Sequence, residues 1–256
     1  MLQELLAGAV SDAAQRLLTL PLASVEAAAR AQTPALDALA ALAPTERVKI
    51  LAEIKRASPS RGALAAIADP AALAVAYETG GASAISVLTE GRRFHGSLAD
   101  LEQVRAAVSI PILRKDFIGT PYQVFEARAA GADLVLLIVA ALDQPTLLAL
   151  HTLIGELGMT ALVETHSGDE VNRALDIGAR LIGVNARNLS TFELDQNLFG
   201  SLADKIPAGV VRVAESAVKT AADVAHYRAA GADVVLVGEA LVTSDPIRTL
   251  SEFLAV

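Results

Sequence analysis

The chain has 256 residues, a formal net charge of -8 and a pI near 5.0. That balance disfavours nucleic-acid binding, which calls for a basic face; the lack of cysteine removes disulfides and thiolate metal sites; and no apolar run approaches the roughly 18 residues of a membrane helix. With 53% hydrophobic residues, many of them alanine, and 20% charged ones, the composition supports a large core with strong helix propensity and excludes disorder. The N-terminus carries Glu4 and Asp12 and no basic stretch before an apolar run. No signal peptide is therefore expected, and a soluble cytoplasmic protein follows.

Residues 2–18 and 22–31 read as amphipathic helices, and 33–44 as a broken connector. They precede the first strand, so residues 1–46 form an extra helical segment that must lie on the fold. Apolar strand candidates then recur at 48–55, 84–88, 112–117, 134–139, 160–165, 181–185, 210–216 and 234–237. Most are continuous apolar runs, as in parallel strands buried on both faces. Helix start signals fall between them. Asp69-Pro70 and Thr120-Pro121 combine an N-cap with a first-turn proline. Ser97 with Asp100, Ser167 with Glu170 and Thr220 with Asp223 resemble capping boxes, and Ser244-Asp-Pro246 opens the last helix.

A Gly-Ala pair precedes alternate strands, at Gly81-Ala82, Gly131-Ala132, Gly178-Ala179 and Gly231-Ala232. Each interval holds two strands and two helices, so the pattern predicts an α/β fold, a (β/α)8 TIM barrel with an extra N-terminal helical segment. The length fits, since such barrels run to roughly 250 residues. An open doubly wound sheet is the rival, disfavoured because no Gly-x-Gly-x-x-Gly turn follows a strand.

Active residues of such barrels lie at the C-terminal ends of the strands. The first strand ends in Glu53 and Lys55, two apart and hence on one face, before opening into Ser58-Pro-Ser-Arg-Gly62. Later strands end in Lys115, in Glu164, in Asn185 with Arg187, in Glu215 with Ser216, and in Gly238-Glu239. Charges that converge in a barrel mouth are costly unless paired, so the set reads as a catalytic site or as a structural salt-bridge network. Lys115 follows an apolar strand beside Lys55; its pKa is expected to fall, which suits a general acid or a Schiff-base nucleophile. Glu164 is expected to be raised toward neutrality and to act as a base. The loops beginning at Ser216-Ala217 and Gly238-Glu239 sit where barrels often bind phosphate through backbone N–H groups, and Ser58 and Arg187 could add donors. Leu88, Phe94 and Phe117 are candidate apolar walls. His95 and His166 are read as loop residues, because four histidines scattered without ligand spacing argue against a metal. Arg92-Arg93 reads as a solvated loop face.

Six runs in order carry a resemblance: Glu53-Ile-Lys-Arg-Ala-Ser-Pro-Ser60, Leu113-Arg-Lys-Asp-Phe117, Leu162-Val-Glu164, Ile182-Gly-Val-Asn-Ala-Arg-Asn-Leu189, Ala214-Glu-Ser216 and Leu236-Val-Gly-Glu239. From Arg47 to Leu241 the chain resembles the indole-3-glycerol phosphate synthase family of tryptophan biosynthesis, and the resemblance implies that the helical segment of residues 1–46 lies over the barrel mouth. The resemblance implies ring closure, decarboxylation and dehydration of 1-(2-carboxyphenylamino)-1-deoxyribulose 5-phosphate, with no cofactor and no metal. It implies Lys115 as the general acid at the substrate carbonyl, Lys55 as the holder of the anthranilate carboxylate, and Glu164 as acid/base in dehydration. Glu53, Asn185, Glu215 and Ser216 would position substrate hydroxyls and the lysines. The partner would be one small phosphorylated substrate, with no nucleic acid or membrane, and the chain a monomer. Another phosphosugar isomerase, a Schiff-base aldolase using Lys115, or a barrel kept only as a binding scaffold are the competing readings. In one place the chain departs from the family, which usually has glycine after Glu-Ser where this sequence has Ala217. Since only backbone donors are needed there, Ala217 is expected at negative φ, with little effect.

Overall fold

The computed structural model describes residues 1–256 except Ser60, Leu189, Ser190 and Phe192. The last residues of two of the six runs, Ser60 and Leu189, therefore lie outside the described residues. Three helices come first, α1 (Leu2–Thr19), α2 (Leu22–Ala31) and α3 (Ala38–Ala41). The barrel strands are β1 (Lys49–Ile54), β2 (Ala84–Leu88), β3 (Ile112–Lys115), β4 (Leu134–Ile138), β5 (Thr160–Thr165), β6 (Leu181–Asn185), β7 (Val211–Glu215) and β8 (Val234–Val237). Between and after them run α4 (Pro70–Thr79), α5 (Leu98–Ala107), α6 (Pro121–Ala129), α7 (Gln144–Glu156), α8 (Gly168–Asp176), α9 (Leu198–Ala203), α10 (Ala221–Ala229), α11 (Glu239–Val242) and α12 (Pro246–Leu254). Among the described residues the eight strands are all parallel and close on themselves, β1 pairing with both β8 and β2. This is the (β/α)8 barrel, and the open sheet is excluded. A short ribbon pairing Ala57–Ser58 with Gly62–Ala63 was not expected; it folds the loop after β1 back on itself.

Alternation along the strands splits the apolar residues between two cores. Leu51, Leu113, Leu136, Leu162, Val213 and Leu236 fill the barrel interior, while Ile50, Ile85, Val135, Val163, Ile182 and Val235 face the helices. Each such burial contributes roughly 1.5–3 kcal/mol before entropy is counted. The helix starts follow the expected chemistry. Asp69, Ser97, Asp143, Ser167, Thr220 and Asp245 each accept a backbone N–H of the first helical turn. The repeated glycines also find their reason: Gly81, Gly131, Gly178 and Gly231 have φ of 94°, 93°, 79° and 95° just after a helix, a conformation glycine adopts without cost.

Residues 1–46 are divided between the two ends of the barrel. Leu5 and Ala9 of α1 join the interior cluster at the mouth, where Phe94 and Phe117 also lie. The expected broken connector contains α3, whose Ala38 joins Leu42 among the interior residues of the opposite end; there the Leu36 N–H donates to Asp133, just ahead of β4. Between them α2 lies along α6, with Val25 and Ala29 packed on Tyr122 and Phe125. Among the described residues no helix is long and apolar enough to cross a membrane.

Candidate active site

The strand parity that puts Leu51, Leu113, Leu162 and Val213 inside the barrel also puts the residues two further on at its mouth: Glu53, Lys115, Glu164 and Glu215. Their side chains converge. Lys115 Nζ lies 3.8 Å from Glu53 Oε2, 3.7 Å from Glu164 Oε2 and 3.5 Å from Glu215 Oε2. Lys55 Nζ pairs with the other oxygen of Glu53 at 2.6 Å. Asn185 donates its amide to Glu164 Oε1 at 3.1 Å, and its own carbonyl oxygen accepts from the Ser216 hydroxyl at 2.8 Å and the Arg187 N–H at 3.0 Å. Two glycines make the room. A Cβ on Gly238 would stand 2.5 Å from Glu53 Oε1 and 3.0 Å from Lys55 Nζ, and one on Gly183 would overlap the Glu215 carboxyl.

Burial sets the protonation states. It pulls the Lys115 ammonium down, but the carboxylates of Glu215, Glu53 and Glu164 more than offset this, and the net shift is upward. The expected fall is thus corrected. Burial is outweighed by three acids that reach Lys115 from β1, β5 and β7. Burial raises Glu53, but Lys55 and Lys115 reverse it and hold the carboxylate below its usual range. For Glu215 burial prevails. Together with the charge of Glu164 it pushes the carboxyl well above its ordinary value, and neither oxygen finds a donor among the described residues. Glu215, facing Glu164, is thus biased toward its protonated form.

The rest of the mouth is less charged. Phe94 and Phe117 stand 6.1 Å apart between ring centroids and form one wall with Leu88. Ser58, Arg187, the residues from Ser216 to Lys219, and Gly238-Glu239 line the same cavity. Arg61 pairs with the Glu239 carboxylate across this rim. All the site residues named from the sequence line this one cavity. Ala217, however, has φ of 58° and Ser216 of 71°. The negative φ expected for Ala217 is wrong. The turn after β7 is fixed from elsewhere, by Tyr227 donating to the Ser216 carbonyl and Ser216 to Asn185, and a left-handed residue is what those bonds leave.

Sequence reading missed several lining residues. Leu5 reaches the cavity from α1, with no local signal. Ile138 ends β4, a strand with no polar residue. His166, read as a loop residue, does sit in the loop just after β5; it does not line the cavity, but its ring lies 3.4 Å from Glu164 Oε1.

Against known proteins, the family model described as indole-3-glycerol phosphate synthase matches residues 2–252. The chain belongs to the indole-3-glycerol phosphate synthase family. A family member from Leifsonia xyli subsp. xyli is 74% identical over 99% of this chain and 97% of its own, and one from Rhodococcus opacus is 58% identical over 98% and 94%. Among solved structures, the N-acetylmannosamine-6-phosphate 2-epimerase from Clostridium perfringens aligns with a TM-score of 0.60 at 15% identity, over 76% of this chain and 88% of its own, a likeness of fold alone.

Proposed function

We propose that the chain closes the indole ring of 1-(2-carboxyphenylamino)-1-deoxyribulose 5-phosphate and releases carbon dioxide and water, as a monomeric cytoplasmic enzyme of tryptophan biosynthesis. The observation that carries this reading is the Lys115 ammonium, held charged among Glu53, Glu164 and Glu215 at the inner end of the cavity. A carbonyl attacked by an aryl carbon must take a proton, and Lys115 has one to give. A Schiff-base lysine needs a neutral amine, so the same charge speaks against an aldolase. Lys55, 20% exposed and on the outer side of Glu53, binds the anthranilate carboxylate. The aryl ring lies against Leu88, Phe94 and Phe117. The phosphate is held by the backbone of Ala217, Gly238 and Glu239 with Ser58 and Arg187. Glu164 then gives a proton to the departing hydroxide, while Asn185 and Ser216 orient it and Glu53 and Glu215 hold Lys115.

The test is indole fluorescence on mixing with that substrate, against a chain that has no tryptophan. The expected result is a signal that saturates with substrate and falls by about 10²–10⁴ in kcat in Lys115→Met. A near-normal rate in that variant, or an amine adduct trapped by borohydride at Lys115, overturns the assignment.

A further inference from the structure

His166 follows β5 directly, two residues beyond Glu164. Its ring is only 14% exposed and stands between two carboxylates. On one side Glu170 Oε2, from the first turn of α8, accepts the His166 backbone N–H at 2.8 Å and faces Nδ1 at 3.2 Å. On the other, Nε2 is buried, lacks any hydrogen-bond partner among the described residues, and lies 3.4 Å from Glu164 Oε1.

This geometry determines where protons sit. A carboxylate can only accept, so Glu170 fixes the hydrogen on Nδ1. Neutral His166 would then aim the lone pair of Nε2 at the Glu164 oxygen, two acceptors facing each other at a buried atom. One proton between Nε2 and Oε1 removes that conflict. We propose that His166 and Glu164 share one proton, held in place by Glu170, and that His166 is the positioning residue that keeps this proton available to Glu164 for the dehydration step. As the C–O bond of the ring-closed intermediate breaks, the shared proton passes through Glu164 Oε1 to the hydroxide, which leaves as water. Glu164 is then a carboxylate and His166 is neutral with its hydrogen on Nδ1, and one proton from solvent restores the pair. The inference rests on the acid role given to Glu164 above.

The groups facing the ring are Glu164 from β5, Glu170 from α8 and Lys115 from β3, with Glu215 of β7 beyond Glu164. Burial lowers the imidazolium, the two carboxylates raise it and Lys115 lowers it, with a net shift upward. The cation therefore persists to higher pH than in a free histidine and is lost as pH rises through the shifted value, so kcat should show a basic limb set by His166.

The experiment is the pH profile of kcat and KM from about pH 6 to 9.5 for the full chain and for His166→Gln, Glu170→Gln and Glu164→Gln, with Tm measured for each. His166→Gln should lower kcat by roughly tenfold or more, leave KM within about twofold and abolish the basic limb. Glu170→Gln keeps an acceptor but loses the charge, so the limb should move to lower pH with the plateau kept. If His166→Gln does not fold, the Glu170→Gln shift decides alone. A limb unmoved in both variants, even with kcat reduced, would leave His166 a packing residue and overturn the relay. Glu164→Gln separates the two levels. Near wild-type turnover in that variant sinks the role of Glu164 itself, whereas an inactive Glu164→Gln beside an unmoved limb sinks only the relay.

Discussion

Gly183 is the space into which Glu215 folds its carboxyl. A Cβ built on Gly183 of β6 overlaps Oε1 of Glu215 on the neighbouring β7 and comes to 3.4 Å from Leu162. Glycine in a barrel strand forgoes packing, and here that loss admits a buried acid. Gly183→Ala should therefore push Glu215 off Lys115, 3.5 Å away, and lower kcat tenfold or more, while overpacking costs on the order of 1–3 kcal/mol. Steady-state kinetics beside a denaturant titration separates the two effects. Unchanged kcat would show that the Glu215 contact with Lys115 is dispensable.

The upward shift of Glu215 has a consequence for stability. Its folded pKa lies above the unfolded one, so below the unfolded value both states hold the proton and no cost arises. As pH rises past that value the unfolded chain releases the proton and the folded one keeps it, which favours unfolding, until the folded pKa is reached. Glu215→Gln removes the titration and the cost together. Relative to wild type it should gain stability as pH rises above the unfolded carboxylate value, by at most about 1.4 kcal/mol per pH unit. Urea titrations at several pH values measure this; a gap that stays flat with pH would mean that Glu215 is ionised in the folded protein.

The strand ends were legible because parity is strict in a strand. With Leu51, Leu113 and Val213 inside the barrel, Glu53, Lys115 and Glu215, each two residues further on, face the same way, and their places at strand ends were readable from the sequence. The barrel itself was written in the repeated Gly-Ala pairs, whose positive φ closes helix after helix. What was misread depends on residues distant in sequence. The charge state of Lys115 is decided by carboxylates from β1, β5 and β7, and the backbone of Ala217 by bonds that involve Asn185 and Tyr227. The docking of α1 rests on Arg16 meeting Glu126 across 110 residues, which no local pattern announces.

Ala217 sits at φ 58°, where an L-residue with a Cβ is disfavoured by about 1 kcal/mol. Ala217→Gly relieves this strain but gives the unfolded chain more freedom, which offsets part of the gain. The expected sum is a rise of up to about 1 kcal/mol, or about 2–4 °C in Tm for a domain of this size. Because the backbone already has the shape that glycine would allow, KM should stay within about twofold. A thermal melt with the kinetic assay checks both. A drop in Tm would mean that the turn after β7 holds alanine without strain.

Arg114 is 1% exposed on the helix-facing side of β3, and four groups hold it there. It donates to Asp116 at 2.9 Å, to the Gln123 carbonyl at 2.7 Å and to Thr89 at 3.2 Å, and it faces Glu126 at 3.5 Å. Glu126 in turn takes Arg16 of α1 in two hydrogen bonds, of 2.5 and 2.8 Å. A continuous chain of charge thus runs from the strand that carries Lys115 to the helix that lays Leu5 over the cavity. Its two links should behave differently when cut. Glu126→Ala leaves a buried guanidinium short of one carboxylate and should cost about 3 kcal/mol, the low end for breaking a buried pair, since Asp116 remains. Arg16 is 39% exposed, so Arg16→Ala should cost no more than about 1 kcal/mol. Its effect should appear in binding instead, as a severalfold higher KM with kcat little changed, because α1 loses the ionic hold that keeps Leu5 against the substrate. Denaturation curves and kinetics on both variants make the comparison, and an Arg16→Ala enzyme with wild-type KM would show that apolar packing alone seats α1.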